Sequence, residues 1–245
     1  MMHDAPPVFA SPPVPAGGDV PRICRRAMIR CALVASLVSV PAGAQVSEEI
    51  IRDTAGSWQI VPVDGRPACT IVLSAERLGP ERWRARPDPT CAAAVPASAG
   101  VTGWRLADGT VLLDAKGKAL MTFVEDETAV PTSPDLINPE HYLMPTVAGY
   151  SHRLQPAEWA GTWKIARRGK SPCTITLRQA PDADGGSLGN VTSTCARGSV
   201  PARLERWSLE DLKLMLWGEN DVGLVFEPIA NGRWTAESGA WTLSK

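Results

Sequence analysis

The sequence predicts an all-β protein: two tandem, small, eight-stranded up-and-down β-barrels, each with one disulfide and a short N-terminal helix. Three observations support this fold class. The chain contains the same stretch of sequence twice, and its apolar residues fall in short alternating runs separated by turns. No long run has the periodicity of an amphipathic helix.

The repeat sets the domain organisation. Residues 65–73 (GRPACTIVL) return about a hundred positions later as residues 169–177 (GKSPCTITL). Matching landmarks flank both stretches: Gly56, Trp58 and Trp104 in the first copy, and Gly161, Trp163 and Trp207 in the second. A period of this length exceeds the roughly 20–50 residues of solenoid repeats and corresponds to a small domain. The sequence therefore predicts a duplicated domain.

The strands are predicted from alternation. Residues 173–177 alternate polar and apolar side chains, as a strand with one buried face does. Similar runs continue to residue 244, and Asn231-Gly232 is typical of a two-residue hairpin turn. The first copy shows the same pattern, so each copy has about eight short strands. Short antiparallel strands in this number favour a closed barrel, because closure leaves no strand edge exposed.

Each copy opens with a short segment that we expect to be helical, residues 47–54 in the first and 155–160 in the second. Ser47 followed by Glu48 and Glu49 is typical of a helix N-cap with acidic residues in the first turn. One or two turns of helix would close the mouth of the barrel.

The two copies differ in one connection. In the first copy, residues 125–140 contain three prolines, whereas the second copy makes the same connection in a few residues. A longer, proline-rich connection predicts an exposed loop.

The N-terminus predicts export. Arg25, Arg26 and Arg30 precede a mostly apolar run at 31–40, and small residues at 42 and 44 follow. This is the order of a secretory signal peptide, and the run is shorter than the roughly 20 residues that span a bilayer. We expect cleavage after Ala44, a periplasmic protein and no transmembrane segment in the mature chain. Residues 1–44 would then hold the signal peptide, with a true start at Met28 as one possibility, followed by domains at 45–154 and 155–245.

Four cysteines remain after Ala44, and in each copy the two lie 22 residues apart. Four cysteines allow three pairings. The duplication favours Cys69–Cys91 and Cys173–Cys195, because each copy must once have folded alone. Each bridge would contribute roughly 3 kcal/mol by closing a loop of this length. A four-cysteine zinc site is disfavoured, since the chain lacks closely spaced cysteine pairs.

Charge and motifs exclude several functions. The formal net charge is −1 and no basic cluster interrupts the mixed surface, so nucleic acid is not an expected partner. No nucleophile, zinc-protease or phosphate-loop motif is present. We expect His141 and His152 to be solvated strand residues rather than metal ligands. The sequence predicts a monomer that is not an enzyme and needs no metal or cofactor.

The order and spacing of these motifs resemble the Inh family, periplasmic inhibitors of serralysin-type zinc metalloproteases that share their domain with certain outer-membrane lipoproteins. The resemblance covers roughly residues 47–245 as two tandem domains. The residues that match its plan are Gly56, Trp58, Cys69, Cys91 and Trp104, and Gly161, Trp163, Cys173, Cys195 and Trp207.

The resemblance implies a lipocalin-like barrel and a mechanism. Members inhibit through an N-terminal arm that enters the protease cleft and approaches the catalytic zinc. In this sequence the arm is Gln45, Val46, Ser47, Glu48 and Glu49, and the partner is a secreted zinc metalloprotease.

Two alternatives use the same fold. One is a non-catalytic, envelope-associated protein-interaction module, which duplication suits because two linked binding faces raise avidity. The other is a small-molecule carrier, which requires a hollow barrel.

Overall fold

The computed structural model describes residues 47–125, 130–137, 139–180, 187–196, 200, 203–236 and 239–245. The signal-peptide segment and arm residues Gln45 and Val46 lie outside these ranges. Almost all of the regular structure is antiparallel β-sheet, arranged as two closed eight-stranded barrels. The fold class predicted from the sequence is confirmed.

The first barrel follows a short helix, α1 (Glu48–Thr54), and each strand pairs with its neighbour in the chain. Its strands are β1 (Gly56–Pro62), β2 (Cys69–Gly79), β3 (Arg82–Pro87), β4 (Gly103–Ala107), β5 (Gly109–Leu113), β6 (Ala119–Val124), β7 (Thr132–Ser133) and β8 (His141–Pro145). Pairing of β8 with β1 closes the barrel. A single helical turn, α2 (Cys91–Ala94), and a 3₁₀ turn (Pro96–Gly100) connect β3 to β4.

The second barrel repeats this plan after α3 (Pro156–Trp159). Its strands are β9 (Gly161–Arg167), β10 (Cys173–Gln179), β11 (Gly189–Ser193), β12 (Leu204–Glu210), β13 (Lys213–Gly218), β14 (Gly223–Ile229), β15 (Arg233–Ala236) and β16 (Trp241–Ser244). A 3₁₀ turn (Glu219–Asp221) lies between β13 and β14, and β16 pairs with β9 to close the barrel. Ile229 pairs with Arg233, so Ala230, Asn231 and Gly232 form a three-residue connection between β14 and β15 rather than the two-residue hairpin expected from the sequence. Asn231 and Gly232 have the positive φ angles of a tight turn, 67° and 63°.

One disulfide lies in each barrel, joining Cys69 to Cys91 and Cys173 to Cys195. The two bridges occupy equivalent positions, at the start of the second strand of each copy. Each disulfide links that strand to the segment that follows the third strand, so the cross-link is equivalent in the two copies.

The recurring tryptophans hold each barrel together by hydrogen bonds as well as by packing. The indole nitrogens of Trp104 and Trp207 donate to the carbonyls of Ser74 and Arg178, at 2.9 and 3.2 Å. Both side chains are fully buried. Because a buried indole N–H needs an acceptor, these equivalent bonds explain why the same residue recurs in both copies.

The connection at residues 125–140 contains the exposed stretch expected from its prolines, at residues 134–137, and also a short strand that was not expected. Thr132 and Ser133 form β7, which pairs with β6 on one side and β8 on the other. Thr132 is buried, and its hydroxyl donates to the carbonyl of Asp135 at 2.9 Å. Two paired residues are enough to bridge the sheet edges of β6 and β8, which would otherwise lack partners.

Candidate functional site

The base of the predicted arm is a capped helix at the mouth of the first barrel. Ser47 is the N-cap of α1, and its hydroxyl accepts a hydrogen bond from the backbone N–H of Ile50 at 3.3 Å. Glu48 and Glu49 occupy the first turn, where they complement the positive end of the helix. Glu48 also lies 3.7 Å from the guanidinium of Arg77 on β2. This arrangement caps the start of α1 and holds it next to β2.

Two contacts anchor α1 to the barrel. Ile51 is 2% exposed and packs into the apolar core of the first barrel. The indole nitrogen of Trp58 donates to the carbonyl of Thr54 at 2.8 Å, which joins the end of α1 to β1. The adjacent Ile50 is half exposed on the outer side of the helix. The helix that follows the predicted arm is therefore fixed to the first barrel at both its middle and its end.

The second copy has the same support. The indole nitrogen of Trp163 donates to the carbonyl of Trp159 at 2.7 Å, as Trp58 does to Thr54. Trp159 is buried in the second barrel, in the role that Ile51 has in the first. The carboxylate of Glu158 accepts from the backbone N–H of Gln155 at 2.8 Å and so caps α3. This bond is the main reason that the pKa of Glu158 is lowered, followed by its hydrogen bond to His152.

The chain that leads into α3, residues 146–155, is held along its length; we call it the linker. The side-chain amide of Gln59 donates to the carbonyl of Tyr150 and accepts from the N–H of Val147, at 3.0 and 3.2 Å. The N–H of Ala68 donates to the carbonyl of Ser151 at 2.7 Å. These bonds attach the linker to the first barrel.

Further bonds connect the linker to both barrels. The guanidinium of Arg153 donates to the carbonyls of Val63 and Asp211, at 3.2 and 3.0 Å. The N–H of Asn231, in the β14–β15 turn, donates to the carbonyl of Ala148 at 2.8 Å. The segment that corresponds to the arm in the second copy is therefore fixed between the barrels.

Apolar packing completes this joint. Val61 on β1 and Tyr142 and Met144 on β8 are buried with the core of the second barrel rather than with their own. Tyr150 of the linker joins them, with its ring edge-on to Trp234 at 6.2 Å between centroids. The repeat did not reveal these contacts. The sequence did contain an indication of them, because residues 59–62 and 141–144 lack the polar–apolar alternation of a strand with one buried face. In the structure both stretches are buried throughout.

The two histidines are not the solvated strand residues expected from the sequence. His141 on β8 is 9% exposed, and burial lowers its pKa. His152 is half-buried in the linker, where its Nε2 lies 2.8 Å from a carboxylate oxygen of Glu158 and its Nδ1 2.9 Å from the hydroxyl of Ser151. Pairing of β8 with β1 and β7 shields His141 from water, and the contacts with Ser151 and Glu158 partly cover His152.

Among the residues that the structure describes, no group of three or more His, Cys, Asp or Glu side chains could hold a metal ion. The barrel interiors are filled by large side chains, with Trp104 and Phe123 fully buried in the first and Trp207 and Phe226 in the second. A filled interior disfavours the small-molecule carrier, which needs a cavity at this place. Within the described ranges, no helix is long and apolar enough to cross a membrane.

Comparison with known proteins identifies the domain. The family described as "Protease inhibitor Inh" matches residues 50–130 and again 153–244, one match per barrel. No curated protein matches the chain. The two matches together cover more than half of the sequence, and each falls on one barrel, so the chain belongs to the Inh family of protease inhibitors, as two tandem domains.

Proposed function

We propose that the protein is a periplasmic inhibitor of serralysin-type zinc metalloproteases, and that it acts through the N-terminal arm of its first domain. Membership of a protease inhibitor family supports the inhibitory role. The signal-like N-terminus supports export, and so does a disulfide in each barrel, since disulfides persist in oxidising compartments.

One observation supports the assignment to the first domain. The two copies have matching helices at the barrel mouth. The chain before α3 is bonded between the barrels, whereas Ser47 and the first turn of α1 are exposed. An arm that enters a cleft end-first needs a free end. After cleavage at Ala44, the first copy has such an end at Gln45 and the second has none.

The chemistry of the arm suits a zinc site. A deprotonated α-amine is a nitrogen donor of the kind that zinc accepts, and its pKa of roughly 8 makes a useful fraction available at neutral pH. The amide nitrogen at the start of the second copy is a poor ligand, since its lone pair is delocalised into the carbonyl.

Two measurements test this proposal: which class of protease the protein inhibits, and how many protease molecules each chain binds. The chain of residues 45–245 should inhibit a serralysin-type zinc protease and leave a subtilisin-type serine protease fully active. Light scattering of the purified complex should show one protease per chain, because one arm is free. Two proteases per chain would show that the second domain also binds. Inhibition of neither protease class would favour the envelope-associated interaction module, and inhibition of both would contradict an arm directed at the catalytic zinc.

A further inference from the structure

The joint forms a cleft that a single barrel of this family would lack. It has a volume of about 330 Å³ and is lined by the linker, α3, the β14–β15 turn and Lys245. This volume is in the range of ligand-binding pockets, about 300–1,000 Å³. Because Tyr150 and His152 of the linker contribute part of the wall, the cleft exists only where the two domains are joined.

Three aromatic side chains form part of the wall of the cleft. Tyr150, Trp163 and Trp234 line it, and Trp159 lies behind them at 4.5 Å from Trp234 and 4.8 Å from Trp163, between ring centroids. Faces of aromatic rings carry partial negative charge and attract organic cations, most strongly when several rings are combined.

An acidic group adds to this attraction. Glu158 lines the cleft, and its cap on α3 and its hydrogen bond to His152 hold the carboxylate in place. The carbonyl of the same residue is an acceptor within the cleft, which is shown by the hydrogen bond that it receives from Lys245.

The contacts of Lys245 show that the cleft can hold an ammonium group. Its ammonium donates to the carbonyl of Glu158 at 2.7 Å and lies 5.1 Å from the centroid of the Trp163 ring. The equivalent position in the first barrel is Pro145, which carries no charge. The cation-binding position is therefore specific to the second barrel.

We propose that this cleft binds a lysine side chain of a partner protein, with Lys245 as the built-in occupant that the incoming ammonium displaces. The site is separate from the arm of the first domain and does not depend on protease inhibition. The exposed hydrogen bond of Lys245 is easily exchanged, because water can solvate the released ammonium.

The test uses residues 45–245 and a defined probe, Nα-acetyl-lysine amide, whose side-chain ammonium is free. Binding is measured by tryptophan fluorescence and by NMR shifts of the Trp163 and Trp234 indole signals. Lys245→Ala should bind the probe about tenfold more tightly than the natural chain, because the internal competitor is removed. N-acetyl-norleucine amide, which has a similar apolar chain and no charge, should not bind. Adding Glu158→Gln to Lys245→Ala should weaken probe binding severalfold, with near-UV circular dichroism confirming an intact fold.

Three results would overturn the proposal. Equal affinities of the natural and Lys245→Ala chains would show that Lys245 does not occupy the site. Equal binding of the norleucine probe would show an apolar groove without cation selectivity. The absence of probe binding by Lys245→Ala at millimolar concentration would show that the cleft is not a ligand site.

Discussion

At the scale of single residues, buried polar groups determine how the stability of the protein depends on pH, and His141 is one of them. His141 is buried between β1 and β7, and the charged groups that act on it are Glu140, Asp64 and Arg66. Burial dominates and lowers its pKa, so the native protein favours the neutral imidazole. The unfolded chain has no such preference.

The first prediction follows from this difference. Since the pKa of His141 is lower in the folded than in the unfolded state, the unfolded chain binds the proton more readily, and stability falls as pH drops through about 6.5. His141→Gln should make the free energy of unfolding less dependent on pH between about 5 and 7.5. Urea unfolding at a series of pH values measures this. The same slope in the variant and the natural chain would show that His141 is not responsible.

At the scale of elements, the two lead-in segments have the same helix and different surroundings. Gln59 accounts for much of the difference, because its amide is buried and satisfies two backbone groups of the linker. Its counterpart in the second copy is Lys164, which follows Trp163 as Gln59 follows Trp58, and this lysine is exposed.

The second prediction uses this pair. Gln59→Leu should destabilise the protein by about 2–3 kcal/mol, because the carbonyl of Tyr150 and the N–H of Val147 would stay buried without partners. Lys164→Leu introduces the same side chain at the equivalent position, on an exposed face, and should shift stability by less than about 0.5 kcal/mol. Thermal and urea unfolding compare the two variants. Similar effects in both would mean that the linker is not held by Gln59.

At the scale of the whole molecule, the two domains are joined more closely than their repeated sequence suggests. Side chains of the first barrel and the linker complete the apolar core cluster of the second, with Val61, Tyr142, Met144 and Tyr150 among its buried members. Each barrel is complete in its strands, and the second shares part of its apolar core with residues of the first barrel and the linker.

The third prediction concerns the second barrel alone. A chain of residues 157–245 contains every strand of this barrel and its disulfide, so it should fold into a β-rich monomer that unfolds cooperatively. It should also melt at a lower temperature than the full protein, because the surface covered by the first barrel becomes exposed. Calorimetry of both chains tests this. An oxidised fragment without a cooperative transition would show that the barrel cannot fold independently.

Most of the fold could be predicted from the sequence, and most of the joint could not. Two matched cysteines and recurring tryptophans are local signals, and each copy confirms the interpretation of the other. The joint has no second copy to compare, and the contacts of Gln59 and Arg153 involve residues distant in the chain. Thr132–Ser133 was missed for another reason, since a two-residue strand has too few side chains to alternate.

The central claim is that the free end of the first domain inhibits and the fixed linker of the second does not. The most direct test measures inhibition constants against a serralysin-type protease for residues 45–245, for a chain lacking residues 45–49, and for a chain with a short Gly-Ser extension before Gln45. The same extension placed after Lys245 is the matched control. Deletion and N-terminal extension should each weaken inhibition at least about thirtyfold, roughly 2 kcal/mol, because residues at the buried centre of an interface provide most of its binding energy. Equal inhibition by all four chains would contradict the arm mechanism.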